Sequence, residues 1–315
     1  MKYLVTGGAG FIGSHLVDSL IADNHEVIVI DNESSKAAAF FYWNNKCINY
    51  KQNICDYSAC NSIFERHKPD IVFHLAAESN IQSSIIDPMK TVNSNVVGTA
   101  NMLELSYRHN VKRFVFSSTS AIYGLKNDTP SNESMSSDCL NQYSASKFAG
   151  EEFCKMYTNL YGLQTVILRY FNVYGERQPS GGQYAPVMGI FLRQKKNNEP
   201  MTIFGDGEQR RDFVHVSDVV DANIISSTFN PPDYLVENDV KYVKYHWGQV
   251  YNVGSGINYS INEIAKMIDG DVVRLPAKPG ESRISLANIT KIKNHMNWKP
   301  KTTLEEWIKT KNDII

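Results

Sequence analysis

No stretch of the chain approaches the roughly 20 consecutive apolar residues of a membrane-spanning helix. The opening "MKYLVTGG" turns to glycine after too few apolar residues for a signal-peptide core. Cysteine is sparse: Cys47, Cys55, Cys60, Cys139 and Cys154 form no C-x-x-C pair and no cluster with histidine at zinc spacing. Neither a disulfide framework nor a metal site is therefore expected. Neither sign of charge dominates, with Lys+Arg 32 against Asp+Glu 33 and a formal net charge of -1. That balance gives no global field to recruit a nucleic acid or an anionic membrane surface, so an anionic ligand must be met locally. Reduced thiols without an export signal lead us to expect a cytoplasmic protein. No internal repeat is visible.

The 315 residues suffice for one large α/β domain or a nucleotide-binding domain with a smaller companion. Through the first half, short apolar runs alternate with amphipathic stretches. The runs are 3–6, 26–30, 70–76, 113–118 and 164–171, and helical patterns cover 11–22, 57–68, 91–109 and 143–161. Strands apolar on both faces and separated by helices indicate a parallel sheet covered on both sides, the doubly wound α/β architecture. After Phe171 the alternation gives way to the Gly/Pro-rich "NVYGERQPSGGQYAP", a helical 186–197 and short segments around "MTIFGDG" and "RRDFVHV". A second, smaller, partly discontinuous lobe is expected there. Residues 230–249 are turn-prone, charged and aromatic, and read as a surface excursion.

"TGGAGFIG" sets Gly7, Gly10 and Gly13 at G-x-x-G-x-x-G spacing between the first strand and the first helix. Such glycines allow a tight turn and let a pyrophosphate reach the helix N-terminus. Asp31 ends the second strand, where a carboxylate accepts hydrogen bonds from a ribose diol and repels a 2′-phosphate; NAD is favoured over NADP. Asp56 fits two roles equally, an adenine contact or the N-cap of the next helix. "YSASK" places Tyr143 and Lys147 one turn apart on a helix face. A tyrosine of pKa about 10 can act as a base near neutrality only if neighbouring positive charge lowers it by about three units. The run "RFVFSSTSAIYG" ends a buried strand in Ser117, Ser118, Thr119 and Ser120 and contains no carboxylate.

Together "TGGAGFIG", Asp31, "HLAA" (74–77), "SSTSAIYG", "YSASK", "LRYFNVYG" and "RRDFVHV" occur in an order that resembles the extended short-chain dehydrogenase/reductases, the NAD-dependent nucleotide-sugar epimerases and dehydratases, nearly end to end. The resemblance implies a Rossmann-type NAD-binding domain over 1–171, to which parts of 212–253 return, and a nucleotide-sugar-binding lobe mainly within 172–315. It implies Tyr143 as base, Lys147 on the nicotinamide ribose and Thr119 on the sugar O4. Around NAD it places Gly7, Gly10, Phe11, Ile12, Gly13, Asp31, Asn32, Ile54, Asp56, Leu75, Ala76, Ala77, Asn95, Ser117 and Tyr170. Around the substrate it places Ser79, Asn172, Val187, Phe204 against the base, Arg211 and Arg283 on the diphosphate, and Ser285 beside C2 of the sugar. Arg177 reads as a loop charge.

The resembling 4,6-dehydratases carry an Asp-Glu pair where this chain has Ser120 and Ala121, so elimination of water is not expected. What the resemblance leaves is 4-epimerisation of a UDP-hexose, with tightly bound NAD regenerated in each cycle. A bulky tyrosine at the position of Ser285 restricts relatives to plain hexoses. Serine leaves room for an N-acetyl group, which points to UDP-GlcNAc/UDP-GalNAc together with UDP-Glc/UDP-Gal. Competing readings are epimerisation of UDP-glucuronate or a dTDP- or CDP-sugar, a 4-ketoreductase, and a non-catalytic NAD-binding sensor. A homodimer through a four-helix bundle, built from 95–109 and 143–161, is the assembly the resemblance implies.

Overall fold

In the computed structural model, which describes residues 1–35, 40–181, 185–237, 241–277 and 283–312, the first half winds strand and helix in alternation. The elements are β1 (Lys2–Thr6), α1 (Phe11–Ala22), β2 (Glu26–Asp31), β3 (Ile48–Lys51), α2 (Tyr57–His67), β4 (Ile71–His74), α3 (Ile81–Ile86), α4 (Pro88–Val92), α5 (Gly98–Arg108), β5 (Arg113–Thr119), α6 (Gln142–Tyr161) and β6 (Gln164–Tyr170). The second half supplies β7 (Asn172–Tyr174), α7 (Val187–Lys196), β8 (Met201–Phe204), β9 (Arg210–His215), α8 (Val216–Thr228), β10 (Tyr234–Glu237), β11 (Lys241–Lys244), β12 (Gln249–Val253), β13 (Asn258–Ser260), α9 (Ile261–Ile268), β14 (Val272–Leu275), α10 (Thr290–Met296) and α11 (Leu304–Asn312).

Seven strands pair in the order β12-β6-β5-β4-β1-β2-β3, every pair parallel. β4 and β5 are buried along their whole length, which is why they read as unbroken apolar runs. Two cores follow from the two faces. One gathers Val5, Leu16, Val29, Phe73, Val115, Leu168 and Trp298; the other gathers Leu4, Ile28, Phe64, Phe114, Phe116, Cys154 and Ile167. Burying each such side chain contributes about 1.5–3 kcal/mol. Strand order reverses between β1 and β4, and the crevice beyond their carboxyl ends is where such sheets bind ligands.

The second half is divided. β7, β9 and β13 form one small sheet and β8 and β14 another, closed by α7, α9 and α11 around Phe191, Ile203, Ile264 and Trp307. α8 packs on α1, and β12 and α10 join the large sheet. The return to the nucleotide domain therefore extends past 253, to α10 and Trp298, whose Nε1 donates to the Asp218 carbonyl at 3.0 Å.

One expectation changes. The helix read over 91–109 is α4, a π-helical turn at Asn93–Val97, and α5 in succession. Within the excursion read over 230–249, β10 and β11 pair antiparallel. Beyond them the Arg113 guanidinium lies 4.3 Å from the Trp247 ring. Among the described residues, no helix is long and apolar enough to cross a membrane.

Candidate active site

At the carboxyl end of β1 the chain turns through Gly7 with φ +71°, and a Cβ there would lie 2.8 Å from the Ala76 nitrogen. Gly13 is equally confined, since its Cβ would stand 2.1 Å from the Gly7 carbonyl oxygen. Gly10 differs: its Cβ would meet nothing nearer than that same oxygen at 3.4 Å. No side chain caps α1, leaving the first-turn amides of Phe11, Ile12 and Gly13 at an open helix N-terminus, which suits a pyrophosphate. At the end of β2 the Asp31 carboxylate accepts from the Ala9 amide at 3.1 Å and the Glu33 amide at 2.8 Å. Burial raises its pKa, and those backbone bonds oppose the rise. A glycine cradle and an adjacent oriented carboxylate fit a dinucleotide with an unphosphorylated ribose.

The other nucleotide-side residues have definite positions. The Leu75 and Ala76 amides donate to Thr6, at 3.1 Å and 3.2 Å, which locks the turn after β4 and leads into Ala77. Asn32 accepts from the Ser34 amide at 3.1 Å, and Ile54 is buried against Gly98. Asp56 is the N-cap of α2, accepting from the Ala59 amide at 3.0 Å. Asn95 is committed within the protein. Its amide donates to the Glu78 carbonyl and the Ser146 hydroxyl at 3.0 Å and 2.9 Å, and its oxygen accepts from the Glu78 amide at 2.8 Å. The π turn thereby fastens the loop after β4 to α6.

α6 begins with a capping box between Asn141 and Ser144, which fixes the first turn and Tyr143 within it. The Thr119 hydroxyl and the Tyr143 phenol line the same cavity; burial raises the pKa of the phenol and Thr119 opposes the rise. Lys147, which is buried, donates its Nζ to the Ser117 carbonyl at 2.8 Å. Burial pushes it down to about 8, while Cys154 and Glu151 act the other way. The lowered phenol pKa expected from the sequence is thus not a property of the protein side chains alone. Tyr170, at the end of β6, shares hydrogen bonds with Ser117 and Asn223 at 2.9 Å each.

A cavity of about 780 Å³ opens beside Tyr143, and its lining brings together Ser79, Thr119, Asn172, Val187, Phe204, Arg211, Arg283 and Ser285. Residues far apart in the chain, from β5, α6, β7, α7, β8 and β9, converge on it. Ser120 and Ala121 line it too, and the acidic residue among its described lining is Asp128. The Asn172 amide donates to the Asp212 carbonyl at 2.9 Å, holding β7 to β9. Arg211 donates to the Arg210 carbonyl at 3.0 Å. The Ser285 hydroxyl is buried and has no hydrogen-bond partner among the described residues. Arg177 is held elsewhere, paired with Asp18 on α1 at 2.6 Å.

Sequence reading missed two features. Arg283 makes a bidentate pair with Asp206 at 2.9 Å and 2.6 Å, for which "GDG" gave only a turn signal. Glu151 lies behind the hydroxyl strand, accepting from Ser118 at 2.6 Å; its spacing of four from Lys147 was the available signal.

The family profile described as the NAD dependent epimerase/dehydratase family matches residues 3–254. A putative UDP-glucose 4-epimerase of Methanocaldococcus jannaschii is 35% identical, covering 97% of this chain and 95% of the relative. The structure of UDP-glucose 4-epimerase with UDP-glucose from Thermotoga maritima superposes with a TM-score of 0.89 at 36% identity, covering 99% of this chain and 98% of that one. UDP-N-acetylglucosamine 4-epimerase from Methanobrevibacter ruminantium, in complex with UDP-N-acetylmuramic acid, superposes with a TM-score of 0.87 at 33% identity, covering 99% and 97%.

Proposed function

The chain belongs to the NAD-dependent epimerase/dehydratase family, and we propose that it is a 4-epimerase of UDP-hexoses that interconverts UDP-GlcNAc and UDP-GalNAc as well as UDP-Glc and UDP-Gal. The observation that carries this reading is the Thr119–Tyr143 pair, which opens into one cavity with Phe204, Arg211, Arg283 and Ser285 and is flanked by Ser120 and Ala121. Tyr143 takes the proton of the sugar 4-hydroxyl as the C4–H bond breaks, and returns it to the oxygen of the epimer. NAD, when bound, would supply the redox chemistry as acceptor of the C4 hydride and its donor to the other face of the 4-keto sugar, with no net consumption. Thr119 orients O4, and Lys147 binds the nicotinamide ribose and favours the phenolate. No carboxylate stands at 120 or 121 to remove the C5 proton, which disfavours elimination.

At the nucleotide end, the guanidinium groups of Arg211 and Arg283 suit the diphosphate and Phe204 the uracil. Among the described lining residues these two arginines, both on the small lobe, are the cations, so no lysine or histidine counters a carboxylate on the sugar. That favours neutral hexoses over UDP-glucuronate. The small Ser285 leaves room beside C2, and its buried hydroxyl, without a partner among the described residues, offers an acetamide a hydrogen bond. The five thiols are all free, in keeping with a cytoplasmic enzyme.

A homodimer through α5 and α6 belongs to the same reading. Their inner faces pack on the sheet, yet Tyr107, Met156, Leu160 and Tyr161 stay exposed, with the rings of Tyr107 and Tyr161 stacked at 4.6 Å. The deciding experiment incubates the purified protein, without added reductant, with UDP-GlcNAc, UDP-Glc, UDP-glucuronate and dTDP-Glc. Equilibration of the first two with their 4-epimers is expected. A 4-keto-6-deoxy product from dTDP-Glc, or turnover of UDP-glucuronate alone, would overturn the assignment.

A further inference from the structure

Three consecutive residues at the end of β5 bear on three successive turns of α6. Thr119 shares the cavity with Tyr143 and opposes the rise of its pKa, the Ser117 carbonyl accepts from Lys147 at 2.8 Å, and the Ser118 hydroxyl donates to Glu151 at 2.6 Å. Strand alternation separates their side chains: Ser117 and Thr119 face one side of the sheet and Ser118 faces the other, toward α6. Glu151 is fully buried and carries a two-pronged bond from Arg169 of β6, at 2.8 Å and 2.7 Å. Arg169 in turn lies 4.8 Å from the Tyr123 ring, and Tyr123 donates to Asn252 of β12 at 2.6 Å. The helix also approaches the strand closely: a Cβ on Gly150 would stand 2.5 Å from the Phe116 ring.

We propose that Glu151, anchored by Arg169 and bonded to Ser118, is a positioning residue of the reaction that holds α6 against the end of β5 so that Tyr143 and Lys147 face the sugar and the nicotinamide ribose together. The inference rests on the 4-epimerase reading. A buried ion pair is a costly way to gain stability, since well-packed apolar residues often do as well. Its value here is directional. A carboxylate that accepts from a strand hydroxyl and a fixed guanidinium sets the position of the helix along the sheet, whereas apolar contact permits sliding. The chain does place a carboxylate beside its hydroxyl strand, but on α6 and outside the described lining of the cavity.

The charged and titratable groups around this arrangement are His74 from β4, Cys154 and Lys147 from α6, Arg169 from β6, Cys139 from the loop before α6, and Tyr123 and Glu133 beside Arg169. Their presence makes the sign of the response informative. In NAD-loaded Glu151→Gln, a misaligned Lys147 stabilises the phenolate less, and Tyr143 should titrate at higher pH. Loss of a negative charge by itself, with Arg169 left unpaired, would move Tyr143 to lower pH.

The test measures the ultraviolet titration of Tyr143, taken as the difference between each NAD-loaded protein and its Tyr143→Phe form, together with kcat and KM for UDP-GlcNAc. Glu151→Gln is expected to raise the titration midpoint and lower kcat about a hundredfold with KM unchanged. Ser118→Ala should shift both in the same direction by less, and Glu151→Asp should recover part of the loss. If Glu151→Gln does not fold, Glu151→Gln with Arg169→Met strands no buried charge and decides the matter. A Tyr143 midpoint that stays or falls, or kcat within about threefold of wild type in that double variant, would overturn the proposal. A wild-type protein that turns over no UDP-sugar would instead sink the activity reading, with the titration still testing Glu151.

Discussion

Replacing Tyr143 by phenylalanine removes one oxygen from the site, and the structure sets what that oxygen is worth. The phenol is half-buried; desolvation raises its pKa, and Thr119 only partly offsets this. To take a proton near neutrality it must come down from about 10 by about three units, roughly 4 kcal/mol of preferential stabilisation of the phenolate. Lys147, one turn further along α6, and the positive ring of oxidised NAD, when bound, would supply that stabilisation. Without the hydroxyl, no other described group lining the cavity beside Thr119 can act as base: Ser120 and Ala121 are its neighbours, and the acidic residue Asp128 lies in the exposed loop after β5. Losing a general base costs about 10²- to 10⁴-fold, or about 3 to 5 kcal/mol of barrier. The fold should barely notice, because Thr119 keeps its bond from the Ala121 amide at 3.1 Å and one neutral hydrogen bond contributes about 1 kcal/mol. The assay follows UDP-GalNAc formation from UDP-GlcNAc by chromatography, alongside NAD content and urea unfolding. Turnover within about tenfold of wild type, with NAD retained, would refute Tyr143 as the base.

Ser285→Tyr should place a ring in the space beside C2 and lower kcat/KM for UDP-GlcNAc at least about tenfold more than for UDP-Glc, a difference of about 1.4 kcal/mol; equal losses on the two substrates would remove Ser285 as the gate. Burial pushes the Lys147 pKa down from 10.5 to about 8 in the fold, so between those pH values the unfolded chain holds a proton that the native state releases. Stability should therefore rise with pH across that window, and below it the charged lysine costs the fold about 3 kcal/mol. Lys147→Met, compared with wild type after both are stripped of NAD, should be more stable at neutral pH and show a flatter rise in urea midpoint toward pH 10, while losing turnover. A variant less stable than wild type at neutral pH would contradict that balance.

Legibility in the sequence tracked the range of the interaction responsible. The strands 3–6, 26–30 and 113–118 and the helix 11–22 were readable because burial on both faces of a parallel sheet, and periodicity along a helix, are written into neighbouring residues. Short β3 was not, because three of its four residues are exposed, which leaves no apolar run to see. The break of 91–109 into α, π and α turns was hidden for a different reason. It serves the bonds of Asn95 to Glu78 and Ser146, whose partners come from other segments.

The sequence by itself determined the nucleotide-binding turn, the Tyr143–Lys147 pair and the absence of a carboxylate at 120 and 121, since each depends on residue type at local spacing. Only the tertiary structure decided that Ser79, Asn172, Val187, Phe204, Arg211, Arg283 and Ser285 line one cavity with Tyr143. It alone decided that Arg283 meets Asp206, and that Glu151 supplies the carboxylate beside Ser118. Those groups lie on different strands and helices, and a one-dimensional pattern carries no record of which side chains a parallel sheet and its crossover helices will bring within hydrogen-bonding reach.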